Sequence, residues 1–204
     1  MSGLVVATED ELSEAVALRL AAEVQPALTV TQTLRRQGFG YLRSKMASWY
    51  QLAQQQPVFL LTDLDRLACP ATLLTQWLGA LTPPPNLLMR VAVREVESWL
   101  LADHLAMQQL LGEKGKLPPA PDSLDDPKQT LLTLAKKYAP RDVRLDLVQS
   151  TGAMACQGIG YNARLVDWVR TVWQPAQAAT RSPSLHKARC RLQELAARCT
   201  SIPP

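Results

Sequence analysis

The feature that most constrains this chain is the run Pro57-Val58-Phe59-Leu60-Leu61-Thr62-Asp63-Leu64-Asp65, where a strand-length apolar stretch ends in two carboxylates. Continuous short apolar runs fit a central strand covered on both faces, which implies helices on each side of a sheet. In open α/β sheets ligands gather at the carboxyl ends of strands, and Asp63 and Asp65 fall there. If strand geometry continued to Asp65, the i, i+2 spacing would send both carboxylates to one face. Two adjacent carboxylates repel unless a cation separates them, and a hard divalent ion with oxygen ligands suits the pair. The structural alternative is a turn in which Asp63 caps the helix that follows.

Three strand–helix alternations repeat the pattern. Gly3–Thr8 reads as a buried strand leading through Glu9-Asp10-Glu11 into a helix to about Glu23, with Thr8 a candidate N-cap. Ala27–Thr33 reads as a second strand. A helix is expected over about Tyr41–Gln55, another over Leu67–Leu81 before Pro83-Pro84-Pro85, and a strand over Leu87–Val93. That strand runs into Arg94-Glu95-Val96-Glu97-Ser98-Trp99-Leu100, so acidic residues again follow a strand directly. The expected fold is α/β, with a mostly parallel sheet of about four strands near 3–8, 27–33, 57–63 and 86–93.

Beyond residues 1–111, a Gly-, Pro-, Lys- and Asp-containing stretch over 112–126 reads as a loop or linker. Asp126-Pro127 opens a helix, and 127–204 reads as a mainly helical part packed on the same domain. Arg141–Gln149 is ambiguous between strand and helix. Ala163–Trp173 and Ser184–Cys199 read as helices, the second capped through Ser182-Pro183-Ser184.

Charge divides unevenly. Residues 1–127 carry 10 Lys and Arg against 14 Asp and Glu, whereas 128–204 carry 12 against 4. A basic second part points to an anionic partner, DNA or RNA first, with a solvated helical surface as the alternative. A second basic cluster, Arg35, Arg36, Arg43 and Lys45, surrounds Gly38-Phe39-Gly40 and is a candidate phosphate-binding loop. It lacks the Gly-Lys-Ser/Thr ending of a Walker loop. Cys69, Cys156, Cys190 and Cys199 are scattered, with no CxxC pair, which argues for a reducing cytoplasm and against a zinc site or disulfide framework. No stretch reaches membrane-spanning length and no secretory leader is visible.

A strand ending in glutamate, a helix, and a later strand ending in Asp-x-Asp resemble the Toprim fold of topoisomerases, primases and the overcoming-lysogenisation-defect nucleases. Phe59–Asp65, Val93–Asp103 and Asp126–Leu132 more closely resemble a bacterial family of small Toprim-like proteins of unknown function, often encoded beside ATPases in mobile or phage-defence loci. The Arg-Glu-Val-Glu-Ser-Trp-Leu-Leu-Ala-Asp run is the most specific part of the likeness. The resemblance implies a Mg²⁺- or Mn²⁺-dependent nuclease or phosphoryl-transfer enzyme, with an ATPase as a partner. It matches Glu9 to the Toprim glutamate, Asp63 and Asp65 to the metal-binding aspartates, and Glu97 to the glutamate before the Trp-Leu pair. Asp10 stands where Toprim sequences carry glycine, and Ser13 where they carry a further acid. Those departures leave a second expectation open, a catalytically weak module that binds nucleic acid or a partner protein. A third is a structural domain whose carboxylates are caps.

Overall fold

The structure, a computed structural model, describes residues 2–35, 40–149 and 155–200. Four strands, β1 (Ser2–Thr8), β2 (Leu28–Arg35), β3 (Val58–Asp63) and β4 (Leu87–Ala92), form an all-parallel sheet in the order β2-β1-β3-β4. The period-two alternation of a strand sorts their side chains into two cores. Leu4, Val6, Phe59 and Leu61 enter one, while Val5, Ala7, Val58, Leu60, Leu87 and Met89 enter the other. This double coverage is why the strand sequences read as unbroken apolar runs.

The smaller core is closed by α2 (Tyr41–Ser44), α3 (Met46–Leu52) and α4 (Pro70–Leu78), through Leu42, Met46, Trp49, Leu74 and Leu78. The larger is covered by α1 (Glu11–Ala22), α5 (Val96–Ala102), α6 (His104–Leu111) and the C-terminal elements. These are a 3₁₀ turn at Pro121–Ser123, α7 (Pro127–Tyr138), α8 (Arg141–Leu147), β5 (Val148–Gln149), β6 (Cys156–Gln157), α9 (Tyr161–Thr171), α10 (Pro175–Ala178) and α11 (Pro183–Thr200). Two buried tryptophans join the halves. Trp99 Nε1 donates to Ser184 Oγ at 2.7 Å, and Trp173 Nε1 donates to the Trp99 carbonyl at 3.3 Å. A single apolar core therefore runs from β1 and β3 through α5 to α9 and α11. No helix among the described residues is long and apolar enough to cross a membrane.

Local chemistry corrects several boundaries. Asp10, not Thr8, caps α1: its carboxylate accepts Ser13 N at 2.8 Å and Ser13 Oγ at 2.7 Å. Thr8 is the last residue of β1 and is fully buried, so its hydroxyl turns to the Asp10 carbonyl instead. The helix expected over Tyr41–Gln55 is split in two at Lys45, which leaves helical geometry at φ −109°, ψ 13°. That expected from Leu67 begins only at Pro70, because residues 64–67 are tied to Arg94. Arg141–Gln149 proves to be a helix followed by a strand of two residues, paired antiparallel with β6. Ser182 does cap α11, with Oγ accepting Leu185 N at 3.2 Å. Asp126 likewise caps α7, with Oδ1 accepting Gln129 N at 2.7 Å.

Candidate functional site

Strand order places the crevice. The chain leaves β1 toward β2 on one side and returns to β3 on the other, so the connections diverge between β1 and β3. At the carboxyl ends of such a pair the loops separate and leave room for a ligand. Glu9 and Asp63 stand on the two lips of that opening. In register Ala7 pairs with Leu60, which sets Glu9 beside Thr62 two residues further on. The Thr62 hydroxyl donates to Glu9 Oε2 at 3.5 Å, and Gly40 N donates to Oε1 at 3.2 Å from across the opening. Gly40 has φ +84°, a left-handed conformation that suits glycine. Burial raises the Glu9 pKa above its ordinary value, offset in part by the Gly40 bond and reinforced by the charges of Asp65 and Asp10.

Asp63 ends β3, and its Oδ1 accepts Val96 N at 3.0 Å, in the first turn of α5. The capping role expected for Asp63 is thus real but serves α5, across the sheet, rather than the helix next in sequence. Its pKa is raised well above the ordinary value, first by burial and then by the charge of Glu97, with Asp10, Asp65 and Glu95 adding to it. Asp65 does not continue the strand. It has φ +51°, and Arg94, two residues past β4, has φ +62°. These two left-handed residues lock together: Leu64 N and Asp65 N both donate to the Arg94 carbonyl, at 3.1 and 2.9 Å. The Arg94 guanidinium returns two bonds, to the carbonyls of Asp65 at 3.1 Å and Leu67 at 2.9 Å. Strained non-glycine backbone held by so many bonds marks a place where geometry is maintained at a cost to stability. The carboxylate of Asp65 is brought to the cavity by this turn, not by strand alternation.

After β4 the two glutamates of Arg-Glu-Val-Glu part company. Glu95 occupies the N-cap position of α5, lines the cavity, and accepts Lys128 N at 3.1 Å from the start of α7. Its pKa is raised, mainly by burial. Glu97, two residues further along, is 5 % exposed and accepts the Tyr161 hydroxyl at 2.8 Å. Burial and the charge of Glu95 push its pKa up to about 7, against the opposing pull of the Tyr161 bond. The Tyr161 hydroxyl is itself driven upward by burial and by Glu97. Glu97 is therefore a backing residue whose charge bears on Asp63, while Glu9, Asp63, Asp65 and Glu95 face the cavity.

That cavity, about 630 Å³, is completed by Arg43, Arg66 and Arg94, by Asp125 and Asp126 ahead of α7, and by a wall from α4. Of the basic cluster read from sequence, Arg43 reaches it. Lys45 is exposed at the α2–α3 break, and Arg35 pairs with Glu11 at 3.9 Å and Glu14 at 3.8 Å on α1. Arg36, with Gly38 and Phe39, lies outside the described residues. Sequence reasoning did not single out Glu95, Arg66 or the α4 wall as site residues. For Glu95 a signal existed: an acid at a helix N-cap after a strand stands at the sheet edge, whereas one two residues later turns inward. His104 bonds to the Pro118 carbonyl at 3.0 Å, and Trp99 is fully buried.

Among the described residues no three His, Cys, Asp or Glu side chains lie close enough to hold a metal ion between them. The donor chemistry nonetheless fits a hard cation. Six carboxylates line one cavity; Glu9, Asp63 and Glu95 have pKa values raised by burial and mutual repulsion, and none of the six is in an ion pair among the described residues. Mg²⁺ keeps several waters and needs only one or two direct carboxylates, so wide spacing is compatible with it. Without a cation, Glu9, Asp63 and Glu95 are proton acceptors whose pKa values lie above the usual carboxylate range. No protein-family model matches the chain, and no curated protein or solved structure matches it either.

Proposed function

We propose that the protein is a Mg²⁺- or Mn²⁺-dependent phosphoryl-transfer enzyme, a nuclease of Toprim type acting on DNA or RNA, working with a co-encoded ATPase in a mobile-element or phage-defence system. One observation carries the chemical part. Carboxylates from the ends of three neighbouring strands, Glu9, Asp63 and Asp65, and Glu95, line one cavity at the switch point beside Arg43 and Arg66. Asp63 and Asp65 would hold the ion, with Glu9 and Glu95 reaching it through water. Bound there, the ion supplies a nucleophilic water and neutralises charge developing on the phosphoryl group. Arg43 and Arg66 orient the phosphate, being fixed cations suited to its oxygens. Glu9, with its raised proton affinity, accepts a proton from the attacking water or delivers one to the departing oxygen. Burial and then the charge of Glu97 raise the proton affinity of Asp63, which a bound cation would offset. The phage-defence setting and the ATPase rest on the sequence resemblance alone.

The test is cleavage of single- and double-stranded DNA and RNA by purified protein, with and without the ATPase, in Mg²⁺ or Mn²⁺ against EDTA. Asp63→Ala and Glu9→Ala should each remove most of the rate and leave the melting temperature within a few degrees. Wild-type cleavage by Asp63→Ala would assign the activity to a contaminant. A second reading has its own support: Asp10, at the position of the Toprim glycine, is used as the α1 cap and adds its charge to Glu9 and Asp63. On that reading the site binds nucleic acid or a partner without turnover, and metal-dependent binding without cleavage under every condition would establish it.

A further inference from the structure

The cavity has a second character that phosphate chemistry does not use. Its α4 wall presents Leu73, Gln76 and Trp77 at spacing i, i+3, i+4, one stripe of a helix. Leu73 is anchored in a small apolar cluster with Leu64 and Val91, against which Leu67 and Trp77 pack. Trp77 is the single tryptophan of the five that is not buried; Trp49, Trp99, Trp168 and Trp173 are at most 5 % exposed. The Trp77 indole is half-buried, packed against that cluster and against the smaller core, and the part left uncovered lines the opening. Beside it, Gln76 is exposed and offers an amide with both donors and an acceptor. The same cavity is lined by the carboxylates with Arg43 and Arg66, neither arginine being in an ion pair among the described residues. The lining therefore combines an aromatic surface and a hydrogen-bonding amide from α4 with ionic groups from the strand ends.

We infer that the cavity receives one unpaired nucleotide, its base against Trp77 and Leu67 with its edge read by Gln76, and its phosphate toward Arg43, Arg66 and the carboxylate-held cation. The inference rests on the phosphate-handling reading of the same site and names what is attached to that phosphate. A volume of about 630 Å³ lies in the range of pockets that enclose a single small ligand. A base inside a duplex cannot reach such a wall without leaving the stack, so the recognised unit is single-stranded, terminal or flipped out. Stacking on an aromatic side chain tolerates any base, and an amide adds preference without strict selection.

The experiment is binding without turnover. Adenosine 5′-monophosphate and ribose 5-phosphate are titrated against the whole chain in Mg²⁺, read by Trp fluorescence and calorimetry. The nucleotide should quench the fluorescence and bind about tenfold or more tightly than the sugar phosphate, the range expected of one stacked base. Trp77→Ala should erase that advantage, Trp77→Phe should keep most of it, and Gln76→Ala should change the ranking among the four bases. Equal affinity for the two ligands in the wild type overturns the inference even if Trp77→Ala does not fold. So does unchanged nucleotide affinity in folded Trp77→Ala. A short single strand that displaces the mononucleotide identifies the source as a strand, and its failure to do so identifies a free nucleotide. Displacement by a blunt duplex as effective as by the single strand overturns the unpaired-nucleotide assignment. Nucleotide binding without cleavage removes the enzyme and keeps this inference; cleavage with no contribution from the base does the reverse.

Discussion

Glu97→Gln should stabilise this protein, and only at neutral and alkaline pH. The glutamine carbonyl can still accept the Tyr161 hydroxyl that Glu97 accepts at 2.8 Å, so the main change is loss of the ionisable proton. Glu97 is raised from 4.5 to about 7 in the folded state, first by burial and then by the charge of Glu95. Below about pH 4.5 both folded and unfolded chains hold the proton, and the residue contributes nothing to pH dependence. Between the two values the folded chain binds a proton that the unfolded chain has released, so stability falls as pH rises. Above about 7 the penalty is complete, about 3 kcal/mol at about 1.4 kcal/mol per pH unit. Relieving it should raise the melting temperature by about 6–12 °C at pH 8 in EDTA for a chain of this size. At pH 4 that gain should be absent. The new amide N–H₂ group has its own cost if it lacks a partner, but that cost is independent of pH. The difference between the two pH values therefore isolates the ionisation. Wild type and variant are melted at both, by circular dichroism, with urea titration as a check on two-state behaviour. A shift identical at pH 4 and pH 8 would falsify the claim that Glu97 is ionised at the expense of the fold.

Three further outcomes follow from the same geometry. Arg94→Ala removes both guanidinium bonds to the Asp65 and Leu67 carbonyls, and should cost about 1–3 kcal/mol in a urea titration while weakening Mg²⁺ binding through a loosened Asp65 turn. Asp10→Ala deletes the α1 cap and should cost about 1 kcal/mol, a value an Asp10→Asn variant should largely restore. Substituting Arg43 and Lys45 together should lower the salt slope of nucleic-acid binding by about one to two if both meet phosphates; with Arg43 at the cavity and Lys45 away from it, the Arg43 change should dominate.

The fold was legible because burial on two sides leaves a strong mark. Val58–Leu61 is apolar at every position since each side chain meets one of two cores, and the strands observed at 2–8, 28–35, 58–63 and 87–92 differ from the expected spans by two residues at most. Helix ends were less legible because tertiary partners decided them. Residues 64–67 carry no Gly or Pro to announce a turn, yet they are held out of α4 by Arg94, a residue 27 positions or more further on.

The site is the more instructive case. Its two anchor positions, Glu9 and Asp63, follow from topology: a parallel sheet that reverses direction between β1 and β3 brings those strand ends together whatever the side chains are. What could not be read is which acids face the opening. Asp-x-Asp on an ideal strand sends both carboxylates the same way, but Asp65 arrives by a left-handed turn that depends on Arg94 adopting one too. Glu-x-Glu at the start of a helix reverses the expectation, because the N-cap residue Glu95 stays at the rim while Glu97 is carried beneath it. Burial, and after it the charge of the buried Glu97, raises the proton affinity of Asp63, an effect that residue spacing does not encode. Glu97 does not line the cavity, so on the metal-binding reading it should bear on ion affinity alongside the carboxylates that touch the ion.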